Sequence, residues 1–404
     1  MAHLSQKHIV TNFFTNLPYK VFIKMKTVII NCHLISAGLD IEGAFVEVVD
    51  GKITAVGTGA YNAAAGVEVV DAKGNMLVPG FVDVHCHGRN NYDFCDGDAE
   101  GVKTIAQGKL SEGVTTLLPT TLTLPEEELT KALASIAAYD NSGCKLPGVH
   151  LEGPYINPKC VGAQNPAYVR ALDADEVDRL NAVYPVKKIT YAVEMPNGPE
   201  FTAAMLTRGI TPSCTHSGSK YSDFKAGYNA GLRNLSHFCN QMTPLHHRDI
   251  GLVGAGLLHK DVYAELICDK LHICPEMINL TFSVKSPDHV VLISDAMRAA
   301  GMPDGEYSLG GLPVIVSEGA ARLKEGGALA GSTLKINVAL KNINEVTDLP
   351  LSELIKSATL TPALSIGLKD IGKIEPGYCA DMVMLDDNFE VVKTWVDGQL
   401  RFEA

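Results

Sequence analysis

The sequence predicts an α/β fold: a (β/α)₈ barrel, or TIM barrel, joined to a small β-sandwich domain built from both ends of the chain. Three observations lead there. Between residues 79 and 364, eight apolar runs alternate with helical patterns. Both ends of the chain are β-rich instead, and the 404 residues exceed the roughly 250 that a barrel alone requires.

Taken in order, residues 1–24 read as an N-terminal extension, with neither the apolar stretch nor the cleavage site of a signal peptide. Residues 25–78 read as strands: TVIIN, AFVEVVDGKITAVG and VEVVDA, with Asp50-Gly51 as a hairpin turn. Residues 365–404 repeat that style in ADMVMLD and FEVVKTWVDGQL, turning at Asp397-Gly398. The two ends are therefore expected to form one small domain, with 79–364 inserted as the barrel. Its strands are FVDVH, TTLLPTT, GVHLEG, ITYAVEM, ITPSCTH, RNLSHF, VYAELICD and HVVLISD. Helical patterns such as EEELTKALASIAAY, ADEVDRLNAVY, FTAAMLTRG and PEMINLTFSVK separate them, as βαβ units require.

Composition narrows the function. A formal net charge of -12 argues against a nucleic-acid or anionic-membrane partner, while a local cation could still hold a small anion. No apolar run reaches the roughly 18 residues of a membrane span. Ten cysteines without a C-x-x-C pair read as reduced thiols, an expectation of a cytoplasmic protein.

The polar residues converge. His85 and His87 end the first barrel strand, and period-2 geometry puts both imidazoles on one face. Glu152 ends the third strand, His216 the fifth, His237 the sixth, Asp269 and His272 the seventh, and Asp295 the eighth. Strand C-termini form the face where barrel enzymes carry their sites. Any one of these residues alone reads as an ordinary loop or core residue; their coincidence is what points to a metal. Imidazole and carboxylate donors suit zinc or iron, with one or two ions per subunit. Glu152, His216 and His237 are expected to hold one ion, and His85 and His87 a second, with Glu152 placed to bridge. Such an ion lowers the pKa of a bound water to about 7 and polarises an amide carbonyl. Asp295 then suits the proton shuttle between water and departing amine.

At these residues the chain resembles a known family. VPGFVDVHCHG resembles the opening signature of the amidohydrolase superfamily, and SATLTPALSIGL with GKIEPGYCADMVMLD resembles the closing one. LEGPYIN, GAQNP, THS, SHFCNQM and LISDA are similar to the N-acetylglucosamine-6-phosphate deacetylases, a likeness running from about Lys26 to the C-terminus. The resemblance implies hydrolysis of N-acetylglucosamine 6-phosphate to glucosamine 6-phosphate and acetate by a homodimer. It assigns the metal donors and Asp295 as above, puts His272 against the sugar, and lets Arg248 reach the phosphate in the neighbouring subunit's site.

Three residues depart from the family. Gln164 stands in place of a histidine that contacts the substrate carbonyl, Lys270 in place of a glycine, and Gln241, next to Asn240, in place of an alanine. All three are expected to border the substrate and leave its identity open. A different N-acyl compound or cyclic amide is the catalytic alternative. A non-catalytic barrel scaffold is a further one, against which the complete donor set speaks.

Overall fold

The computed structural model describes residues 26–404. The expected extension over residues 1–24 lies outside the described residues.

Five strands open the described chain: β1 (Lys26–Ser36), β2 (Leu39–Val49), β3 (Lys52–Thr58), β4 (Glu68–Asp71) and β5 (Met76–Pro79). Asp50 and Gly51 form the β2–β3 turn with φ of 51° and 76°, the left-handed pair that a tight hairpin needs. The alternation then begins with β6 (Phe81–Cys86), followed by a short hairpin of β7 (Gly88–Arg89) and β8 (Tyr92–Asp93). Helix α1 (Ala99–Gly108) leads to β9 (Val114–Pro119), α2 (Glu126–Ala137) to β10 (Val149–Glu152), and α3 (Ala174–Val183) to β11 (Val186–Tyr191). Helix α4 (Gly198–Thr207) precedes β12 (Thr211–Cys214), α5 (Tyr221–Asn229) precedes β13 (Asn234–Leu235), and α6 (Gly251–Leu258) precedes β14 (Tyr263–Leu266). Helix α7 (Pro275–Val284) then leads to β15 (Val290–Leu292).

These strands pair in parallel: β6 with β9, and β10 through β15 each with the next. Parallel bridges Thr120↔His150 and Cys86↔Ala296 join the end of β9 to β10 and the stretch after β15 to β6. The result is a TIM-barrel-like α/β layer. Strands β6 and β9 are buried at every position, which explains why they read as continuous apolar runs rather than alternating ones. Helix α2 is amphipathic, burying Leu129, Ala132, Leu133 and Ile136, the i, i+3, i+4, i+7 face. Asp173 caps α3 by accepting from the backbone N–H groups of Asp175 and Glu176.

An antiparallel meander follows β15, namely β16 (Gly305–Leu309), β17 (Leu312–Ser317) and β18 (Ala320–Leu323). It was not foreseen in the sequence. After α8 (Ile336–Val346), the chain closes with β19 (Met382–Leu385), β20 (Val391–Val396) and β21 (Gln399–Glu403). The ends of the chain meet where β5 pairs antiparallel with β19, from Met76↔Leu385 to Pro79↔Met382. The expected sandwich is one continuous sheet, ordered β21-β20-β19-β5-β1-β2-β3 with β4 also on β1. Asn31, at φ 55°, sits in an irregularity of β1, so that β1 pairs first with β4 and then with β5. The sheet has its own core, including Ile29, Leu34, Val46, Leu77, Met384 and Trp395. It docks on the barrel layer partly through Thr394 Oγ1, which donates to the Leu110 carbonyl at 2.8 Å.

Candidate metal centre and pocket

The strands end earlier than their apolar runs, so several polar residues sit just beyond them. His85 lies within β6 and Glu152 is the last residue of β10. His216, His237 and Asp295 follow β12, β13 and β15 on loops, at φ of 47°, 31° and 49°. Non-glycine residues in this region cost roughly 1–3 kcal/mol each and persist only where the surroundings impose them. Three such residues facing one point mark a site whose geometry is held against local preference.

Glu152 is the hub. Its Oε1 lies 3.3 Å from His216 Nε2, 3.0 Å from His237 Nε2 and 3.4 Å from His85 Nε2. Its Oε2 lies 3.3 Å from His87 Nε2. Asp295 Oδ1 is 3.4 Å from His85 Nε2 and 3.2 Å from His87 Nε2. All six residues are almost fully buried. The opposite ring nitrogens fix the tautomers. His216 Nδ1 donates to the Cys160 carbonyl at 2.9 Å and His237 Nδ1 to the Asn240 carbonyl at 3.2 Å. In the neutral rings, both Nε2 atoms therefore present lone pairs, only 3.2 Å apart. His85 Nε2 is buried with no hydrogen-bond partner.

Facing lone pairs, a carboxylate between them and an orphaned nitrogen fit a cation. Two groups could hold one, His85/His87/Glu152 and Glu152/His216/His237, each with its donor atoms within 4.8 Å of one another. The protein charges alone reflect the same crowding. Burial opposes ionisation of Glu152, but the surrounding imidazoles, His85 foremost, hold it well below the usual carboxylate range. Burial also opposes the charged form of His85, yet Glu152 and Asp295 outweigh it and lift its pKa to about 9. His237 is pushed down, chiefly by burial. Asp295, against its burial, is kept low by His85 and His87.

A cavity of about 210 Å³ opens beside these donors. Gln164, Asn240, Gln241 and His272 all line it, together with His87, Glu152, His216, His237 and Asp295. Gln164 Nε2 donates to Glu152 Oε2 at 2.6 Å, and its Oε1 accepts from the Thr123 N–H at 2.7 Å. His272 Nδ1 is held by Asp269 Oδ2 at 2.6 Å. Two residues do not join this group. Lys270, expected to border the substrate, pairs with Glu345 at 2.7 Å and is absent from the cavity wall. Its φ of 64° turns the loop there. Arg248 is exposed, with its guanidinium 3.1 Å from His247 Nε2 rather than in the cavity of its own chain.

Sequence reasoning missed three contributors. The meander supplies Leu309, and the stretch after it Ala328 and Leu329, as the apolar wall of the cavity. Lys188 and Glu265 lie buried beneath the donors; Glu265 inside the apolar run VYAELICD was the available signal, while Lys188 falls just before the expected strand. His150 packs edge-on against the His85 ring at 4.6 Å.

The sequence profile of the amidohydrolase family matches residues 76–401. N-acetylglucosamine-6-phosphate deacetylase of Lysinibacillus sphaericus is 33% identical over 385 residues, spanning 94% of this chain and 99% of that protein. N-acetylgalactosamine-6-phosphate deacetylase of Escherichia coli O157:H7 is 36% identical over 340 residues, 83% of this chain and 90% of that protein. The crystal structure of the Thermotoga maritima N-acetylglucosamine-6-phosphate deacetylase superposes with a TM-score of 0.85 at 35% identity, covering 93% of this chain and 100% of that one. No helix among the described residues is long and apolar enough to cross a membrane.

Proposed function

The chain belongs to the amidohydrolase family, among its N-acetylglucosamine-6-phosphate deacetylases, and on that premise we propose how its residues remove the acetyl group of N-acetylglucosamine 6-phosphate. The reading is carried by one observation: Glu152 Oε1 faces the Nε2 atoms of His216, His237 and His85 at 3.0–3.4 Å, with Asp295 beside them on a cavity wall. We read residues 79–364 as a closed (β/α)₈ hydrolase domain, and 25–78 with 365–404 as the small β domain.

Glu152, His216 and His237 would hold one divalent ion, zinc or iron, and His85 and His87 would add a second. When bound, the ion supplies Lewis-acid polarisation of the amide and acidifies a water. Asp295, kept ionised by the imidazoles beside it, takes a proton from the attacking water on Oδ1 and returns it to the amine that leaves. Gln164 is anchored at both ends of its amide, so the second Nε2 proton is left to donate to the acetyl carbonyl without changing charge with pH. Asn240 Nδ2 is buried, unpartnered and on the cavity wall, a donor awaiting a polar group of the substrate. His272, fixed by Asp269, offers Nε2 to a sugar hydroxyl. Gln241 closes the same wall.

Arg248 completes the reading from outside. Its exposure, and its absence from the cavity of its own chain, suit a guanidinium that grips the phosphate bound by the second subunit of a homodimer. The galacto epimer is the competing substrate, favoured by the 36% identity to an N-acetylgalactosamine-6-phosphate deacetylase.

The deciding experiment measures acetate release by purified protein from both N-acetylhexosamine 6-phosphates and from the unphosphorylated sugars. Turnover of the gluco phosphate ahead of the others is expected. Release from none of them would reject the reading, and a preference for the galacto phosphate would move it to that epimer.

A further inference from the structure

The four imidazoles around Glu152 are not supported alike. His216 and His237 each donate Nδ1–H to a backbone carbonyl, and His87 Nδ1 is buried with no partner. His85 alone faces a carboxylate, its Nδ1 lying 3.1 Å from Glu265 Oε2. The other oxygen of Glu265 is paired with the Lys188 ammonium. Both members of this pair are about 1% exposed, Lys188 on β11 and Glu265 on β14.

Stability alone gives little reason for such a pair. Taking both charges out of water costs several kcal/mol per ion, and an apolar pair of similar volume is often as stable or more so. Position gives a better reason. Glu265 accepts the Nδ1 proton of His85, which fixes the ring with Nε2 turned toward Glu152 and Asp295. The ring is further confined by the edge of His150, whose Nε2 is 2.7 Å from Thr190 Oγ1. A carboxylate behind an imidazole makes it a stronger donor than a carbonyl does, and losing such support typically weakens metal binding 10–100-fold. Lys188 holds that carboxylate in place from its other oxygen.

We infer that Lys188 and Glu265 form a positioning unit that sets the affinity of the His85/His87 half of the centre for its ion, independently of the Glu152/His216/His237 half. This rests on the reading of His85 as a metal ligand. Neither Lys188 nor Glu265 lines the cavity or belongs to either donor group.

The test titrates metal-stripped full-length protein with Zn²⁺ against a chromogenic chelator, so that two classes of site are resolved without recourse to activity. His85→Ala should abolish the class that contains it. Glu265→Gln should weaken that same class about 10–100-fold and leave the other class unchanged. Because Glu265→Gln strands a buried ammonium and can cost folding, the neutral double variant Glu265→Gln/Lys188→Met is measured beside it. Circular dichroism verifies its fold, and the same weakening is expected. If the double variant binds Zn²⁺ like wild type while His85→Ala does not, the positioning unit is refuted and the ligand reading stands. If His85→Ala itself binds like wild type, the ligand reading falls and takes the inference with it.

Discussion

The terminal sheet and the mouth of the barrel layer differ in how densely they gather left-handed residues and in what they bury. In the sheet region, positive φ falls on Lys73 and Phe389 between strands, and on residues that tolerate it better: Asn31 at an irregularity of β1, and Asp50 and Asp397 at hairpin turns. Their short polar side chains make the left-handed region affordable. At the mouth the same region holds His216, His237, Cys239, Gln241, Lys270 and Asp295. The sheet also buries an apolar core around Trp395, whereas the mouth buries Glu152, Asp295 and four imidazoles. One region is built for stability, and the other spends stability to gather charge.

That contrast can be broken by substitution. The largest effect is expected from Glu152→Gln, which removes the charge shared by the imidazoles; most bound metal and most turnover should be lost together. Full metal content in that variant, measured by elemental analysis, would sink the assignment. Asp295→Asn keeps the shape and removes the base, so turnover should fall on the order of 10²–10⁴-fold with metal content intact. Near-normal turnover would place the base elsewhere. In the other region, Trp395→Ala should cost about 3–5 kcal/mol of stability, read as a lowered melting temperature, while kcat/KM well below melting stays unchanged. An activity loss that tracks the stability loss would mean that the two regions are not separable.

Smaller effects sharpen the comparison. Arg248→Ala should lower kcat/KM about 10-fold or more on a phosphorylated substrate and little on its unphosphorylated counterpart. Equal effects on both would reject phosphate recognition, and a strictly monomeric protein in sedimentation would reject a shared site. Gln164→Ala should cost roughly 3- to 10-fold, the worth of one hydrogen bond, with no change in the pH profile. Wild-type rates in that variant would remove Gln164 from the reaction.

Pattern and residue type alone determined much of this protein. Eight parallel strands with intervening helices, the pairing of both chain ends, and the turns at Asp50-Gly51 and Asp397-Gly398 follow from periodicity and turn chemistry, which are local properties. His85, His87, Glu152, His216, His237 and Asp295 were expected together because they fall at or just after strand ends, and the structure brings their side chains within a few ångströms of one another. Tertiary structure decided what depends on through-space neighbours. Strand β5 pairs with β19, so the two chain ends form one continuous sheet instead of the expected sandwich. Lys270, expected at the substrate, is drawn to Glu345, 75 positions away. Lys188 lies just before the expected strand ITYAVEM and Glu265 inside VYAELICD, and only the fold brings Glu265 beneath His85 with Lys188 to neutralise it. A buried charge is defined by its partner, and partners on different strands leave no periodic trace along the chain.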